Sequence, residues 1–90
     1  MVEIYYSPRF FKLYKKLPDQ VKKAAEEKEE IFRTNPFHPK LKTHKLTGKL
    51  GQYWAFYVVG QYRIIFLFQN KYEVRFHAVG PHDIYEKFKG

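Results

Sequence analysis

The chain is short, strongly basic and free of cysteine. Its 90 residues carry 17 lysines and arginines against 9 acidic residues, a formal net charge of +8. A chain of this length makes one domain, and without cysteine it has neither disulfide bonds nor thiolate metal sites. We find no signal-peptide pattern and no run near the roughly 20 apolar residues of a membrane span, so we expect a cytoplasmic protein. The charge favours a polyanionic partner such as nucleic acid, although solubility alone would also explain it.

The first third of the chain predicts a strand followed by two helices. Residues 2–7 are rich in β-branched and aromatic side chains, and Ser7 and Pro8 suit the cap and first position of a helix. Its apolar stripe is formed by Phe10, Leu13, Tyr14 and Leu17. Pro18 and Asp19 begin a second helix that ends at Thr34-Asn35-Pro36. The apolar face of that helix is formed by Val21, Ala24, Ala25, Lys28, Ile31 and Phe32.

The rest of the chain predicts an antiparallel sheet. Residues 37–51 are a basic connector with a short strand expected near residues 41–46. Three strands are predicted after it, at residues 53–59, 62–68 and 72–79, with tight turns between them. The tail is expected to form a helical turn or a last strand. The predicted fold is α+β, one domain over residues 1–90, in which an N-terminal strand and a helical hairpin pack on a twisted antiparallel sheet of about four strands.

Strand alternation predicts which residues share a face of this sheet. A two-residue loop at Gly60-Gln61 puts Phe56 and Arg63 on one side and Tyr57 and Ile64 on the other. Both sides are apolar, and two helices cover only one of them. We therefore expect a partly exposed aromatic face, suited either to stacking on unpaired bases or to a partner protein.

Three segments, in this order of elements, resemble toxins of the RelE/ParE superfamily. They are His44-Lys45-Leu46-Thr47-Gly48, Tyr62-Arg63-Ile64-Ile65-Phe66 and Val79-Gly80-Pro81-His82-Asp83-Ile84-Tyr85. The similarity spans nearly the whole chain and implies the toxin of a type II toxin–antitoxin system. RelE-like and YafQ-like members cut messenger RNA on the ribosome without a metal ion or other cofactor. The resemblance thus implies three partners: a cognate antitoxin, messenger RNA and the ribosome.

The resemblance also implies roles for individual residues. Arg63 matches the strand arginine that binds the scissile phosphate in RelE-like toxins. His82 occupies the position of a catalytic arginine in RelE and a catalytic histidine in YafQ, and His44 matches a YafQ-branch histidine. Tyr85 or Phe88 lies where an aromatic side chain near the C-terminus helps to position the RNA.

The chain departs from both branches at particular positions. RelE carries lysines where this sequence has Trp54 and Phe56, so lysine-based chemistry does not transfer. A YafQ histidine falls at Tyr57 and a YafQ aspartate at Gln61, so the sequence mixes features of the branches. A ParE-like toxin, which blocks DNA gyrase by binding and cuts nothing, therefore stays as the alternative, because the two activities share one fold.

Histidine and arginine suit RNA cleavage chemically. Histidine can accept and donate protons near neutral pH, and arginine offers a permanently charged fork to phosphate oxygens. His44, Arg63 and His82 would form a catalytic set that needs no metal, and no third ligand is spaced for zinc. We interpret the connector lysines as phosphate anchors, namely Lys40, Lys42, Lys45 and Lys49. The alternatives are an Arg63 ion pair with Glu73, a His82 cap on a terminal turn, and a merely solvated His44 and lysine run.

Overall fold

The computed structural model of the protein describes residues 1–87, with the side chains of residues 1–85. The strands are β1 (Glu3–Tyr6), β2 (His44–Lys45), β3 (Trp54–Val59), β4 (Tyr62–Phe68) and β5 (Glu73–Gly80). The helices are α1 (Pro8–Lys15), α2 (Asp19–Thr34) and α3 (Ile84–Lys87). Two short 3-10 turns, Pro39–Leu41 and Gly48–Leu50, lie in the connector on either side of β2. The predicted α+β fold and its order of elements are confirmed.

The sheet is larger and less uniform than predicted. Five strands are ordered β1-β5-β4-β3-β2, where about four were expected. Strands β2 to β5 are antiparallel neighbours, but β1 runs parallel to β5, so the sheet is mixed. β1 and β5 lie far apart in sequence, and neither strand's pattern of residues reveals that they pair. β1 thereby covers one side of β5 that would otherwise be an unpaired edge.

Local sequence explains how the two long helices begin. The Ser7 hydroxyl oxygen accepts a hydrogen bond from the Phe10 amide at 3.0 Å, with Pro8 at the first helical position, as the sequence predicts. The same hydroxyl donates to the His77 carbonyl oxygen at 3.0 Å, which fixes the start of α1 against β5. α2 begins after Pro18 and ends at Asn35. α1 packs on β5 and α2 on β3, so both helices cover one face of the sheet.

The main core is aromatic and lies between the helices and this face. Phe32 of α2 is fully buried, and its ring centre lies 4.9 Å from those of Phe56 and Phe66 and 5.3 Å from that of Phe76. Such ring contacts add to the burial of large apolar surfaces, which a chain of this length needs for stability.

Two β-bulges decide which residues face this core, and they make the predicted face assignment wrong. The loop at Gly60-Gln61 does have two residues, since Val59 pairs with Tyr62, but the register shifts between Tyr57 and Val59. Phe56 therefore pairs with Ile64, and both are buried against the helices, whereas Arg63 pairs with Tyr57 on the other face. One extra residue in one strand reverses the side on which its neighbours lie. A second shift interrupts the β4–β5 ladder next to Ile65.

The face away from the helices is only partly covered, as we expected for the one face that the two helices leave open. Ile65 and Ala78 at its centre are fully buried, together with Ile84 of α3 and the partly buried Leu46 and Leu50 of the connector. The connector and the short helix α3 therefore shield the middle of this face. Its margin stays open, and Tyr57 and Arg63 are half-buried there. No helix within residues 1–87 is both long and apolar enough to cross a membrane.

Candidate functional site

The strand register carries two of the predicted site residues, His44 and Arg63, to one face of the sheet. His44 on β2 pairs with Ala55 on β3, Tyr57 on β3 pairs with Arg63 on β4, and Arg63 pairs with Gly80 at the end of β5. Directly paired residues point to the same face, and so do residues two apart along a strand. His44 and Arg63 therefore share the face away from the helices, with backbones about 12 Å apart, because two strand spacings and two residues along the strand separate them. His82 follows two residues after Gly80, which pairs with Arg63.

Arg63 is held by backbone carbonyls rather than by a carboxylate. Its Nη1 donates to the carbonyl oxygens of Gly60 at 3.1 Å and Tyr62 at 3.0 Å. Glu73 accepts hydrogen bonds from Tyr5 and Asn70 instead of pairing with Arg63. The expected alternative of an Arg63–Glu73 pair is thus not found. With Nη1 occupied, Nε and Nη2 form the edge of the guanidinium that can meet an anion.

Tyr57 supports Arg63 from the neighbouring strand. The guanidinium carbon lies 5.0 Å from the centre of the Tyr57 ring, within the range of a cation–π contact. The Tyr57 hydroxyl accepts a hydrogen bond from the Gly60 amide at 3.1 Å, which ties the ring to the β3–β4 turn. Sequence reasoning identified Tyr57 only as a departure from YafQ. The register shift is what brings it opposite Arg63, and single-strand patterns do not reveal such shifts.

His44 has a defined orientation despite its exposure. Its Nδ1 lies 3.0 Å from the carbonyl oxygen of Lys42. A carbonyl oxygen only accepts hydrogen bonds, so Nδ1 carries the proton and, in the neutral ring, Nε2 carries the lone pair. Lys42 itself has a positive φ of 50°, a left-handed conformation that costs a non-glycine residue energy. The chain thus bends sharply to present this carbonyl and the side chain that follows it.

His82 and Tyr85 form the opposite flank of the site. His82 is exposed in the segment between β5 and α3, and its ring meets the half-buried Tyr85 edge to face with centres 5.3 Å apart. Burial raises the pKa of Tyr85, and the nearby positive charge of Arg63 partly offsets that rise. Tyr85 therefore lies within electrostatic range of Arg63 and in ring contact with His82. The other predicted RNA-positioning residue, Phe88, lies outside the described residues.

The predicted lysine anchors do not all lie on this face. Lys42 extends the line of β2 towards Tyr57, and its Nζ lies 5.0 Å from the centre of that ring. Lys45 pairs with Trp54, on the face opposite to His44, so it points away from Arg63. Lys40 and Lys49 are exposed in the two 3-10 turns of the connector. Lys28 of α2, which was not predicted as a site residue, reaches the Tyr57 ring as well.

His44 and His82 are exposed and Arg63 is half-buried. A cleft of about 350 Å³ between α1 and the end of β5 is lined in part by Arg9, Leu13 and Ile84, and it includes none of His44, Arg63 and His82. Among the described residues, no group of three or more histidines and carboxylates could hold a metal ion. A basic surface that carries an arginine and two exposed histidines is suited to an extended anionic polymer.

The overall fold is similar to those of known bacterial and archaeal toxins. YafQ from Escherichia coli strain BL21(DE3) has a TM-score of 0.77 at 20% identity, over 94% of this chain and 98% of that one. RelE in the RelB–RelE antitoxin–toxin complex of Methanococcus jannaschii has a TM-score of 0.72 at 27% identity, over 93% and 98% of the two chains. The YoeB–YefM complex from Staphylococcus aureus gives a TM-score of 0.73 at 19% identity, over 91% and 98%. No protein-family model matches the chain, and no curated protein sequence matches it either. The predicted resemblance to RelE-like and YafQ-like toxins is confirmed as a shared fold.

Proposed function

We propose, from this shared fold, that the chain is the toxin of a type II toxin–antitoxin pair and that it cuts messenger RNA on the ribosome without a metal ion. The observation that supports the proposal best is that Arg63 and His44 share one face of the sheet, while His82 contacts Tyr85, whose pKa responds to the charge of Arg63. In-line cleavage of RNA needs a base on one side of the phosphate, an acid on the other and a cation between them.

Arg63 would hold the scissile phosphate. Its two bonds to backbone carbonyls use Nη1 and leave the Nε and Nη2 edge for a two-point contact with phosphate oxygens. The charge is permanent, so it stabilises the crowded phosphorane as negative charge builds on its oxygens. The cation–π contact with Tyr57 keeps the guanidinium over the face of the sheet.

His44 would act as the base and His82 as the acid. The bond from Nδ1 of His44 to the Lys42 carbonyl leaves Nε2 to take the proton of the RNA 2′-hydroxyl. The 2′-oxygen then bonds to phosphorus, and the bond from phosphorus to the 5′-oxygen breaks. Protonated His82 gives its proton to that leaving oxygen. The products are a 2′,3′-cyclic phosphate and a 5′-hydroxyl end, and no atom or electron is needed from outside the site and the RNA.

An antitoxin would keep this site closed in the cell. The similar RelE and YoeB structures are complexes with the antitoxins RelB and YefM. We propose a cognate antitoxin for this chain too, with an acidic, partly disordered segment that folds over the basic face. The chain would then act in the cytoplasm, where its ribosomal target lies.

The proposal is tested by mapping transcript ends after the chain is expressed without an antitoxin. We expect growth arrest with discrete, codon-linked cuts in messenger RNA, relieved by Arg63→Ala or His82→Ala in protein that stays folded. Lys71→Ala, in the exposed turn at the other end of β4, is the matched control and should arrest growth like the parent chain. Accumulating DNA breaks with intact messages would instead identify a gyrase inhibitor, and full toxicity of both site variants would refute the assigned site.

A further inference from the structure

Lys28 is an unusual lysine on α2. Its neighbours three and four residues away are Ala24, Ala25, Ile31 and Phe32, so it lies within the apolar face of the helix. The other lysines of α2 are placed differently, since Lys22 and Lys23 each have a glutamate three or four residues ahead. A lysine on an apolar stripe packs its methylene groups against apolar surface, and its ammonium group then lies at the edge of that surface.

The ammonium group of Lys28 lies near the Tyr57 ring, where three cations converge. The Nζ of Lys28 lies 5.6 Å from the ring centre, and the Nζ of Lys42 and the guanidinium carbon of Arg63 each lie 5.0 Å from it. The distance between any two of these charges is therefore at most the sum of their distances to the ring centre. Tyr57 lies beyond the last β2–β3 pair, His44 with Ala55, so its ring can be reached from both sides of the sheet edge.

Within residues 1–85, Lys28, Lys42 and Arg63 form no ion pair with a carboxylate, unlike Arg33, which pairs with Glu29 and Glu30. One aromatic ring attracts a cation only weakly, and three like charges near it repel one another. Lys42 in addition keeps a left-handed backbone. Strained backbone conformations cluster at active sites, ligand-binding segments and switch regions of folded proteins. Together these features are suited to a preorganised anion-binding site.

We propose that Lys28 and Lys42, whose ammonium groups both lie near the Tyr57 ring, form a second phosphate subsite that holds the RNA phosphate next to the one bound by Arg63. This subsite rests on the proposed function for its ligand, because RNA carries another phosphate one nucleotide away from any scissile one. It would fix the direction in which the strand crosses the site, and therefore which 2′-hydroxyl faces His44. Phosphate contacts of this kind position a strand without reading its sequence.

Binding of a short, single-stranded RNA with 2′-O-methyl groups, which this chemistry does not cleave, separates the subsite from the catalytic proposal. Fluorescence anisotropy at several salt concentrations gives the slope of affinity against salt, which changes by about 0.7 for each phosphate contact on a single strand. Lys28→Met keeps the apolar stem and removes the charge. We expect the slope to fall by about 0.7, so that the affinity ratio of parent to variant grows about fivefold for each tenfold dilution of salt.

Lys23→Met is the control, since it removes the same charge from an exposed position on the same helix. Lys23→Met should change the slope by only a small fraction of the roughly 0.7 that corresponds to one phosphate contact. Tyr57→Leu should behave like Lys28→Met. An unchanged slope for Lys28→Met in folded protein would overturn the subsite, even if the chain cleaves RNA. A reduced slope would support it even if no cleavage is found. If Lys28→Met weakens binding of an acidic peptide but not of the RNA, the cluster is a protein-docking surface and the subsite is wrong.

Discussion

Arg63 and Tyr57 face each other across the β3–β4 ladder, with the guanidinium carbon 5.0 Å from the centre of the phenol ring. This pairing exists because a β-bulge follows Tyr57. Without the extra residue, a two-residue turn would set Arg63 on the helix side of the sheet, beneath α1 and α2. The bulge thus converts a buried position into an open one for the arginine.

The first prediction concerns the ring of Tyr57. Tyr57→Leu removes the surface on which the guanidinium rests, and we expect RNA cleavage to fall about tenfold, in line with a cation–π contact of about 1–2 kcal/mol. Tyr57→Phe keeps the ring and loses only the hydroxyl bond to the Gly60 amide. It should retain most of the activity. Single-turnover cleavage by both variants checks this, and equal losses for Leu and Phe would show that the hydroxyl matters rather than the ring.

The second prediction separates stability from binding at Lys42, whose φ of 50° is strained for any residue with a Cβ. Lys42→Ala and Lys42→Gly both remove the charge near Tyr57, but only glycine relieves the strain. We expect the glycine variant to be more stable than the alanine variant by about 1 kcal/mol. Both should bind RNA more weakly than the parent. Urea unfolding and anisotropy measure the two effects, and equal stabilities would contradict the strain.

Much of the fold could be predicted from the sequence because its causes are local. The Ser7 cap, the apolar stripe that includes Phe10 and the turn at Gly60-Gln61 each depend on residues close together in the chain, and all appear where expected. The parallel β1–β5 pair depends on residues about 70 positions apart. Its existence follows from packing of the whole sheet, which no local pattern encodes.

The candidate site was predictable in its residue types but not in its geometry. His44, Arg63 and His82 were identified from the resemblance, whereas the face that His44 and Arg63 share follows from the register shift between β3 and β4. Lys28 was placed in the apolar stripe of α2 without a role. A lysine whose neighbours three and four residues away are all apolar was the available indication, but only the structure gives its target, Tyr57.

The third prediction is a pH effect on stability at His77. Its ring meets Tyr53 edge to face with centres 5.3 Å apart, and burial, followed by the charges of Arg75 and Arg9, lowers its pKa from 6.5. Below pH 6.5 the unfolded chain binds a proton that the folded chain does not. The free energy of unfolding therefore falls as the pH drops through this range, until the folded group is protonated too.

His77→Phe keeps an aromatic ring and removes this titration. Urea unfolding at pH 7.5 and 5.5 should show a larger loss of stability for the parent chain than for the variant. Equal losses in the two proteins would mean that His77 does not contribute to the pH dependence.

Cleavage of a defined messenger on programmed ribosomes tests the central claim most directly. The parent chain should give fragments with 2′,3′-cyclic phosphate and 5′-hydroxyl ends. Arg63→Ala and His82→Ala should each slow the single-turnover rate by about a hundredfold or more while circular dichroism shows folded protein. Cleavage at the parent rate by both variants, or fragments with 5′-phosphate ends, would contradict the assignment of Arg63 and the two histidines as the catalytic set.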